Sequence, residues 1–205
     1  MTYQMLFEVF AILWLHAAMP NVAVKIQQNF VSYCSFVEAA KTINPTAIPL
    51  TTITSHYLRK GTADVVCPNF GGKKYFEVEV NPHNQKRFKF KIFADFFGPA
   101  PCFRFDSQGD PHCNPEDGRG LPFRQILTPH FHKFNSDGVE IAYKTTVLEQ
   151  ENQADALVAD YTLGVAHFCH EGRLNCVDKA YPDIILDHVE FDLSSDDPLN
   201  GVRFL

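Results

Sequence analysis

The chain has 205 residues, of which 45% are hydrophobic and 13% aromatic, which is enough for one domain with a sizeable core and too apolar for a disordered protein. Its net charge of −6 disfavours non-specific nucleic-acid binding. Its six cysteines form neither a CxxC pair nor a zinc-finger spacing, which disfavours a structural zinc site and favours reduced thiols in a cytoplasmic protein. We therefore expect one cytoplasmic α+β domain over residues 1–205.

The first twenty residues form an apolar segment that separates from the rest by composition. Leu6–Ala18 is apolar enough for a signal peptide, but no Lys or Arg precedes Lys25 and Glu8 interrupts the run. The run is also short for a membrane span. We expect residues 1–20 to be a helix outside the core or an over-long start, and we expect no membrane association.

The next elements follow from periodicity. Apolar residues at steps of three and four predict a helix over 22–43, ended by Asn44-Pro45. The β-branched residues of 51–66 predict a hairpin with its turn at Lys60-Gly61. Strict alternation over 75–80 and 87–93 predicts an antiparallel pair with one buried and one wet face.

The wet faces of that pair carry opposite charges. Glu77 and Glu79 lie on one strand, and Arg87, Lys89 and Lys91 lie on its neighbour. Cross-strand ion pairs account for this pattern. The alternative is a basic groove that follows a phosphate backbone.

The second half of the chain continues the sheet. A short strand is predicted at 102–105, a long loop at 108–128, and a hairpin over 130–135 and 139–144 with Asp137-Gly138 in its turn. A helix is predicted over 149–171, with Gly172 as its stop, and a last strand over 188–193. The predicted fold class is α+β, a curved antiparallel β-sheet with a preceding and a following helix.

Three of the nine histidines fall in one short stretch, at His112, His130 and His132. The last two form an HxH motif that points both imidazoles to one face of a strand. If Ser136 pairs with Val139, then His132 faces Tyr143 and His130 faces Thr145. The sequence therefore predicts a histidine-lined pocket beside a tyrosine hydroxyl.

These motifs resemble a small bacterial and phage-associated family of unknown function. Its block reads His-x-Asn-Pro-Asp-Gly, Pro-His-x-His-x-Tyr and Trp/Ile-Ala-Tyr, and residues 85–175 of this chain are similar, with an inserted Glu116 and with Phe134 in place of the tyrosine. The resemblance implies a compact α+β domain and a looser kinship with small toxin-like proteins of mobile elements. It transfers positions but no catalytic role: His112, Asn114, His130, His132 and Tyr143.

Three hypotheses for the function follow from this cluster. The first is a binding or interaction module without a cofactor, in which the histidines tie the long loop to the sheet. Its partners would be a second copy of the chain, through an exposed sheet edge, or another protein.

The second hypothesis is a ribonuclease-like or phosphodiesterase-like enzyme, with RNA as its partner. Two histidines with pKa values near the working pH can serve as acid and base, and a cation must meet the charge that builds on the phosphate. The histidines would be the acid and base, Tyr143 would orient them, and Lys89 or Arg104 would bind the phosphate.

The third hypothesis is a transition-metal site, because an HxH pair on a strand is a common pair of ligands. His130 and His132 would bind the ion. The third ligand would come from His112, Asp117 or Asp137.

Overall fold

The computed structural model describes residues 22–54, 58–115 and 125–186. The helices in this part of the chain are α1 (Val24–Gln28), α2 (Phe30–Glu38), a 3₁₀ turn (Asp95–Phe97), α3 (Glu151–Ala159) and α4 (Tyr161–Glu171). The strands are β1 (Lys41–Ile43), β2 (Ala47–Pro49), β3 (Thr52–Ile53), β4 (Arg59–Val66), β5 (Lys74–Asn81), β6 (Asn84–Ala94), β7 (Phe103–Asp106), β8 (His112–Cys113), β9 (Gln125–Ile126), β10 (His130–Phe134), β11 (Glu140–Tyr143), β12 (Leu174–Cys176) and β13 (Asp183–Ile185).

Nine of these strands form one strongly curled, mainly antiparallel sheet. Its order is β11-β10-β7-β6-β5-β4-β1-β12, and β3 pairs with the start of β4. Only β1 and β12 run parallel within it. Two short ribbons, β13-β2 and β8-β9, lie outside this sheet. The predicted fold class is confirmed, with helices before and after a curved sheet.

The core lies on one face of the sheet, where α4 packs. Phe168 of α4 contacts an aromatic ring from each of four strands, with ring centroids 5.4–6.2 Å apart. Those rings belong to Phe76, Phe90, Phe103 and Phe131. Because side chains alternate along a strand, the residues between these rings point to the opposite face of the sheet. That opposite face is polar and carries the site described below.

Two predicted elements differ from the structure at their ends. The helix expected over 22–43 breaks at Asn29 and ends at Glu38, so that residues 41–43 form β1. The helix expected over 149–171 is two helices, because Asp160 is extended and its side chain accepts a hydrogen bond from the Thr162 amide, which caps α4. Its predicted end before Gly172 is confirmed.

The predicted hairpin turn at Lys60-Gly61 is wrong. Both residues lie inside β4, and Ile53 pairs with Arg59. A side chain at Gly61 would meet the Pro49 carbonyl oxygen at 2.6 Å, so glycine serves close packing there rather than a turn. The strand expected over 188–193 and the segment 1–20 lie outside the described residues.

The hairpin of β10 and β11 is confirmed, but its predicted register is wrong by one residue. Phe131 pairs with Tyr143 and His132 with Ala142. The loop has three residues rather than two, because the Asn135 side chain accepts hydrogen bonds from the Asp137 and Val139 amides and Gly138 takes a φ of 72°. A shift of one residue moves Tyr143 to the other face of the sheet.

Candidate metal centre

The polar face of the sheet begins with a set of paired charges, which we call the ion-pair half. It consists of Lys60, Glu77, Glu79 and Lys91. Glu77 is buried and lies 2.8 Å from the Lys60 ammonium and 3.0 Å from that of Lys91. The Lys91 ammonium also lies 2.9 Å from Glu79. The predicted cross-strand pairing is therefore confirmed for Lys91, whereas Lys89 lies beside Asp106. The four charges of the ion-pair half satisfy one another.

The same face continues across β7 and β10, in what we call the histidine half. It consists of Arg104, Asp106, His130 and His132, joined at its rim by His112 and Glu140. The strand register sets His130 opposite Asp106 and His132 opposite Arg104. Phe105 and Phe131 point into the core between them, which turns the polar residues to this face.

Asp106, His130 and His132 form a buried group. Each offers one ligand atom, and these atoms all lie within 4.8 Å of one another. His132 Nε2 lies 3.3 Å from Asp106 Oδ2. Two ligands of a tetrahedral ion with bonds of about 2.0–2.1 Å are separated by about 3.3–3.4 Å. The separation of His132 and Asp106 therefore equals that of two ligands of one ion, and the His130 ligand atom lies within 4.8 Å of both.

Several buried polar atoms of this half have no hydrogen-bond partner among the described residues. They are Arg104 Nε, Asp106 Oδ1 and His130 Nδ1. Arg104 Nε lies 3.4 Å from Asp106 Oδ2, and Lys89 Nζ lies 3.7 Å from Asp106 Oδ1, so both groups have ion-pair contacts without a hydrogen bond at those atoms. A buried polar atom without a hydrogen-bond partner costs roughly 1–3 kcal/mol.

The environment keeps Asp106 charged and His130 neutral. Burial would raise the pKa of Asp106, but the hydrogen bond from His132 and the charge of Arg104 outweigh burial and lower that pKa to about 2. Burial first, and then the neighbouring His132, outweigh a backbone hydrogen bond with Leu127 and lower the pKa of His130 to about 4. Burial and His132 also lower the pKa of His112. An ionised carboxylate and neutral imidazoles are the forms that bind a metal ion.

A second group adjoins the first at the half-buried rim. His112, His132 and Glu140 also offer ligand atoms within 4.8 Å of one another. The rings of His112 and His132 have centroids 4.9 Å apart, and His132 Nδ1 lies 3.6 Å from Glu140 Oε2. Arg104 Nη2 lies 3.1 Å from both ring nitrogens of His132. His132 is therefore common to both groups.

The predicted place of Tyr143 in the pocket is wrong. Tyr143 lies on the core face, where its ring stacks on Phe131 and its hydroxyl donates to Glu171 at 3.0 Å. Burial and then Glu171 raise the pKa of this hydroxyl. The cause is the one-residue register shift of the hairpin, so Tyr143 cannot orient the histidines.

The other predicted site residues have separate places. Asn114 exchanges two hydrogen bonds with the Ala142 backbone, at 2.7 and 2.8 Å, and so occupies part of the outer edge of β11. Lys89 lies beside Asp106. Asp137 belongs to neither ligand group among the described residues, and its amide is held in the hairpin turn. Asp117 lies outside the described residues.

Sequence reasoning missed Asp106 and Glu140. A signal for Asp106 was present, because Arg104 and Asp106 alternate with Phe103 and Phe105 and so share a polar strand face. That signal does not say that β7 is the neighbour of β10. Glu140 was assigned to the face opposite the histidines by the shifted register.

No family model, no curated protein and no solved structure matches this chain. The resemblance to the bacterial and phage-associated family therefore stays a prediction. Among the described residues, no helix is long and apolar enough to cross a membrane.

Proposed function

We propose that this protein binds a divalent transition-metal ion through Asp106, His130 and His132. Two imidazoles and one carboxylate are the donor set of open-sided zinc and non-haem iron(II) sites. Three protein ligands leave coordination positions free for water or a substrate. The proposal thus follows the metal hypothesis, with Asp106 in place of the predicted Asp137.

One observation carries the proposal. Within the group of Asp106, His130 and His132, Asp106 Oδ1 and His130 Nδ1 have no hydrogen-bond partner among the described residues. His130 and His132 are 1% and 2% exposed, and Asp106 is 8% exposed. Buried polar atoms in folded proteins are nearly always hydrogen-bonded, so each exception requires an explanation. An ion would engage the Asp106 carboxylate and a ring nitrogen of His130. Water bound to that ion would offer an acceptor to Arg104 Nε.

The two other hypotheses account for less of this geometry. The bonds from Asn114 to β11 support a loop that is tied to the sheet, but they do not explain why His130 Nδ1 has no hydrogen-bond partner among the described residues. Lys89 and Arg104, the residues predicted to bind an RNA phosphate, are paired with Asp106 and Glu140, so their charge is already matched by carboxylates. Metal binding uses those same carboxylates.

The test compares two buried carboxylates on one sheet face. Protein stripped with a chelator is dialysed against Zn(II), or anaerobically against Fe(II), and bound metal is measured by elemental analysis. Asp106→Asn removes a proposed ligand, whereas Glu77→Gln removes a paired carboxylate of the ion-pair half.

We expect Asp106→Asn to lose one ion of the wild-type complement and Glu77→Gln to keep all of it. Wild-type protein without stoichiometric metal would overturn the proposal. Equal metal content in the two variants would also overturn it. Circular dichroism of both variants establishes that each is folded.

A further inference from the structure

We propose that His132 bridges two metal ions, with a second site formed by His112, the other ring nitrogen of His132, and Glu140. This inference rests on the proposed function, which supplies the first ion. The centre would then hold two divalent ions that share one imidazole, each with its own carboxylate and its own second histidine.

The two ring nitrogens of His132 face different carboxylates. Nε2 lies 3.3 Å from Asp106 Oδ2, on the side of His130, and Nδ1 lies 3.6 Å from Glu140 Oε2, on the side of His112. The two ligand groups share no residue except His132. The imidazole of His132 therefore lies between two separate sets of donors.

A neutral imidazole cannot satisfy both of these carboxylates. It carries one N–H, so its other nitrogen presents a lone pair to a carboxylate oxygen. The Arg104 guanidinium lies 3.1 Å from both nitrogens, and it is a cation that only donates. A metal ion on each nitrogen meets both carboxylates with positive charge.

Binding of the second ion to His132 would release one proton from the ring. The remaining N–H bond of His132 breaks, its electron pair forms the bond to the second ion, and the proton goes to water. The ring becomes an imidazolate that bridges the ions. No oxidant or reductant takes part.

Arg104 governs access to the second site. Its Nη2 lies 3.1 Å from both ring nitrogens of His132 and 3.4 Å from Glu140 Oε2, so it contacts two of the three ligands of the second site. Its Nε lies 3.4 Å from Asp106 Oδ2, and this ion pair can persist when the second ion displaces Nη2 from Glu140. We expect the second ion to compete with Arg104.

The sites differ in burial, which orders their loading. His112 and Glu140 are half-buried, whereas Asp106 and His130 are buried. We therefore expect the ion at the second site to bind more weakly and to be removed by a chelator before the ion at the first site.

The experiment counts ions and measures their coupling. Chelator-stripped protein is titrated with Cu(II) as the probe, followed by elemental analysis and electron paramagnetic resonance. We expect two ions in the wild type, with a resonance signal reduced by coupling through the shared imidazolate. His112→Ala and Glu140→Gln should each bind one ion and restore an uncoupled signal. His83→Ala, an exposed turn histidine, should behave as the wild type.

The outcomes separate this inference from the proposed function. One ion in the wild type, kept in His112→Ala and lost in Asp106→Asn, overturns the second site and leaves the proposed function standing. No ion in the wild type overturns both.

The affinity of the second ion in Arg104→Met distinguishes competition by the arginine from a purely structural role. Removing a cation from the second site should tighten the second ion about tenfold or more. Weaker or unchanged binding of the second ion would contradict competition by Arg104.

Discussion

The ion-pair half and the histidine half lie side by side on one sheet face, yet their charges are matched differently. In the ion-pair half, both carboxylate oxygens of Glu77 have a lysine partner within 3.0 Å. In the histidine half, Asp106 has longer contacts of 3.3–3.7 Å with His132, Arg104 and Lys89, and three buried atoms have no hydrogen-bond partner in the described chain. Both halves are built on the same antiparallel ladder, so backbone architecture does not explain the difference.

The difference teaches how to recognise a site on a sheet that is charged throughout. Charges that serve the fold are arranged to satisfy one another, since an unpaired buried charge is costly. Departures from that rule concentrate at functional sites, where a ligand completes the set.

The largest effect is expected from breaking the ion-pair half. Lys91→Met removes a partner of both Glu77 and Glu79 and leaves buried negative charge, which should lower the free energy of unfolding by about 3 kcal/mol. Urea denaturation measures this change. Lys86→Met, an exposed lysine on the same strand, should change stability by no more than about 0.5 kcal/mol. Equal losses in both variants would show that the pairing contributes nothing.

The next effect sharpens the contrast by adding metal. A ligand that binds only the folded state at 100 times its dissociation constant stabilises by about 2.7 kcal/mol. We expect Zn(II) to raise the free energy of unfolding of the wild type and of Glu77→Gln by this amount, even though Glu77→Gln starts lower. Asp106→Asn should gain less. A gain in Asp106→Asn equal to that of Glu77→Gln would contradict the assignment of the ligands.

An intermediate effect concerns acid stability of the metal-free protein. Burial raises the pKa of Glu77, but hydrogen bonds from Lys60 and Lys91 outweigh it and lower that pKa below its usual range. The folded pKa is below the unfolded one, so this carboxylate stabilises the fold above the unfolded pKa, and the stabilisation is lost as the pH falls through the folded value.

The free energy of unfolding should therefore fall more steeply with decreasing pH in the wild type than in Glu77→Gln. Urea midpoints measured from pH 6 down to pH 3 provide the comparison. Parallel curves would show that Glu77 titrates alike in both states.

The smallest effect is expected from the histidine half without metal. His130→Leu replaces a buried ring by an apolar side chain, and the ring Nδ1 has no hydrogen-bond partner in the part of the chain that the structure describes. The metal-free variant should therefore lie within about 1 kcal/mol of the wild type. It should gain no stability from Zn(II) at the first site. A loss above about 3 kcal/mol in metal-free protein would assign His130 to the fold rather than to a ligand.

Much of the sheet could be predicted from the chain, because alternation is a local property. The pairing of β5 with β6 and its ion pairs follows from residues a few positions apart. The hairpin register did not follow, because the Asn135 side chain closes a three-residue loop, and that local bond reversed the predicted face of Tyr143. The helix break at Asp160 was missed for a similar reason, since a side-chain cap outweighs the apolar period.

The site was predicted in part. His112, His130 and His132 are brought together, with ring centroids 4.6–6.4 Å apart. Asp106 was not predicted, because its contact with His132 depends on β7 lying next to β10 rather than next to a strand nearer in sequence. The predicted third ligand Asp137 belongs to a turn.

The α+β class, the alternation of polar and apolar residues along the strands, and the concentration of histidines near the second hairpin all follow from the amino-acid sequence alone. The order of the strands and the face on which Tyr143 lies follow from the three-dimensional packing. The same packing places Asp106 beside Nε2 of His132 and Glu140 beside Nδ1. The physical reason is that periodicity fixes the face of a side chain within its own strand, whereas a ligand group needs side chains from several strands, and their order depends on packing of the whole core.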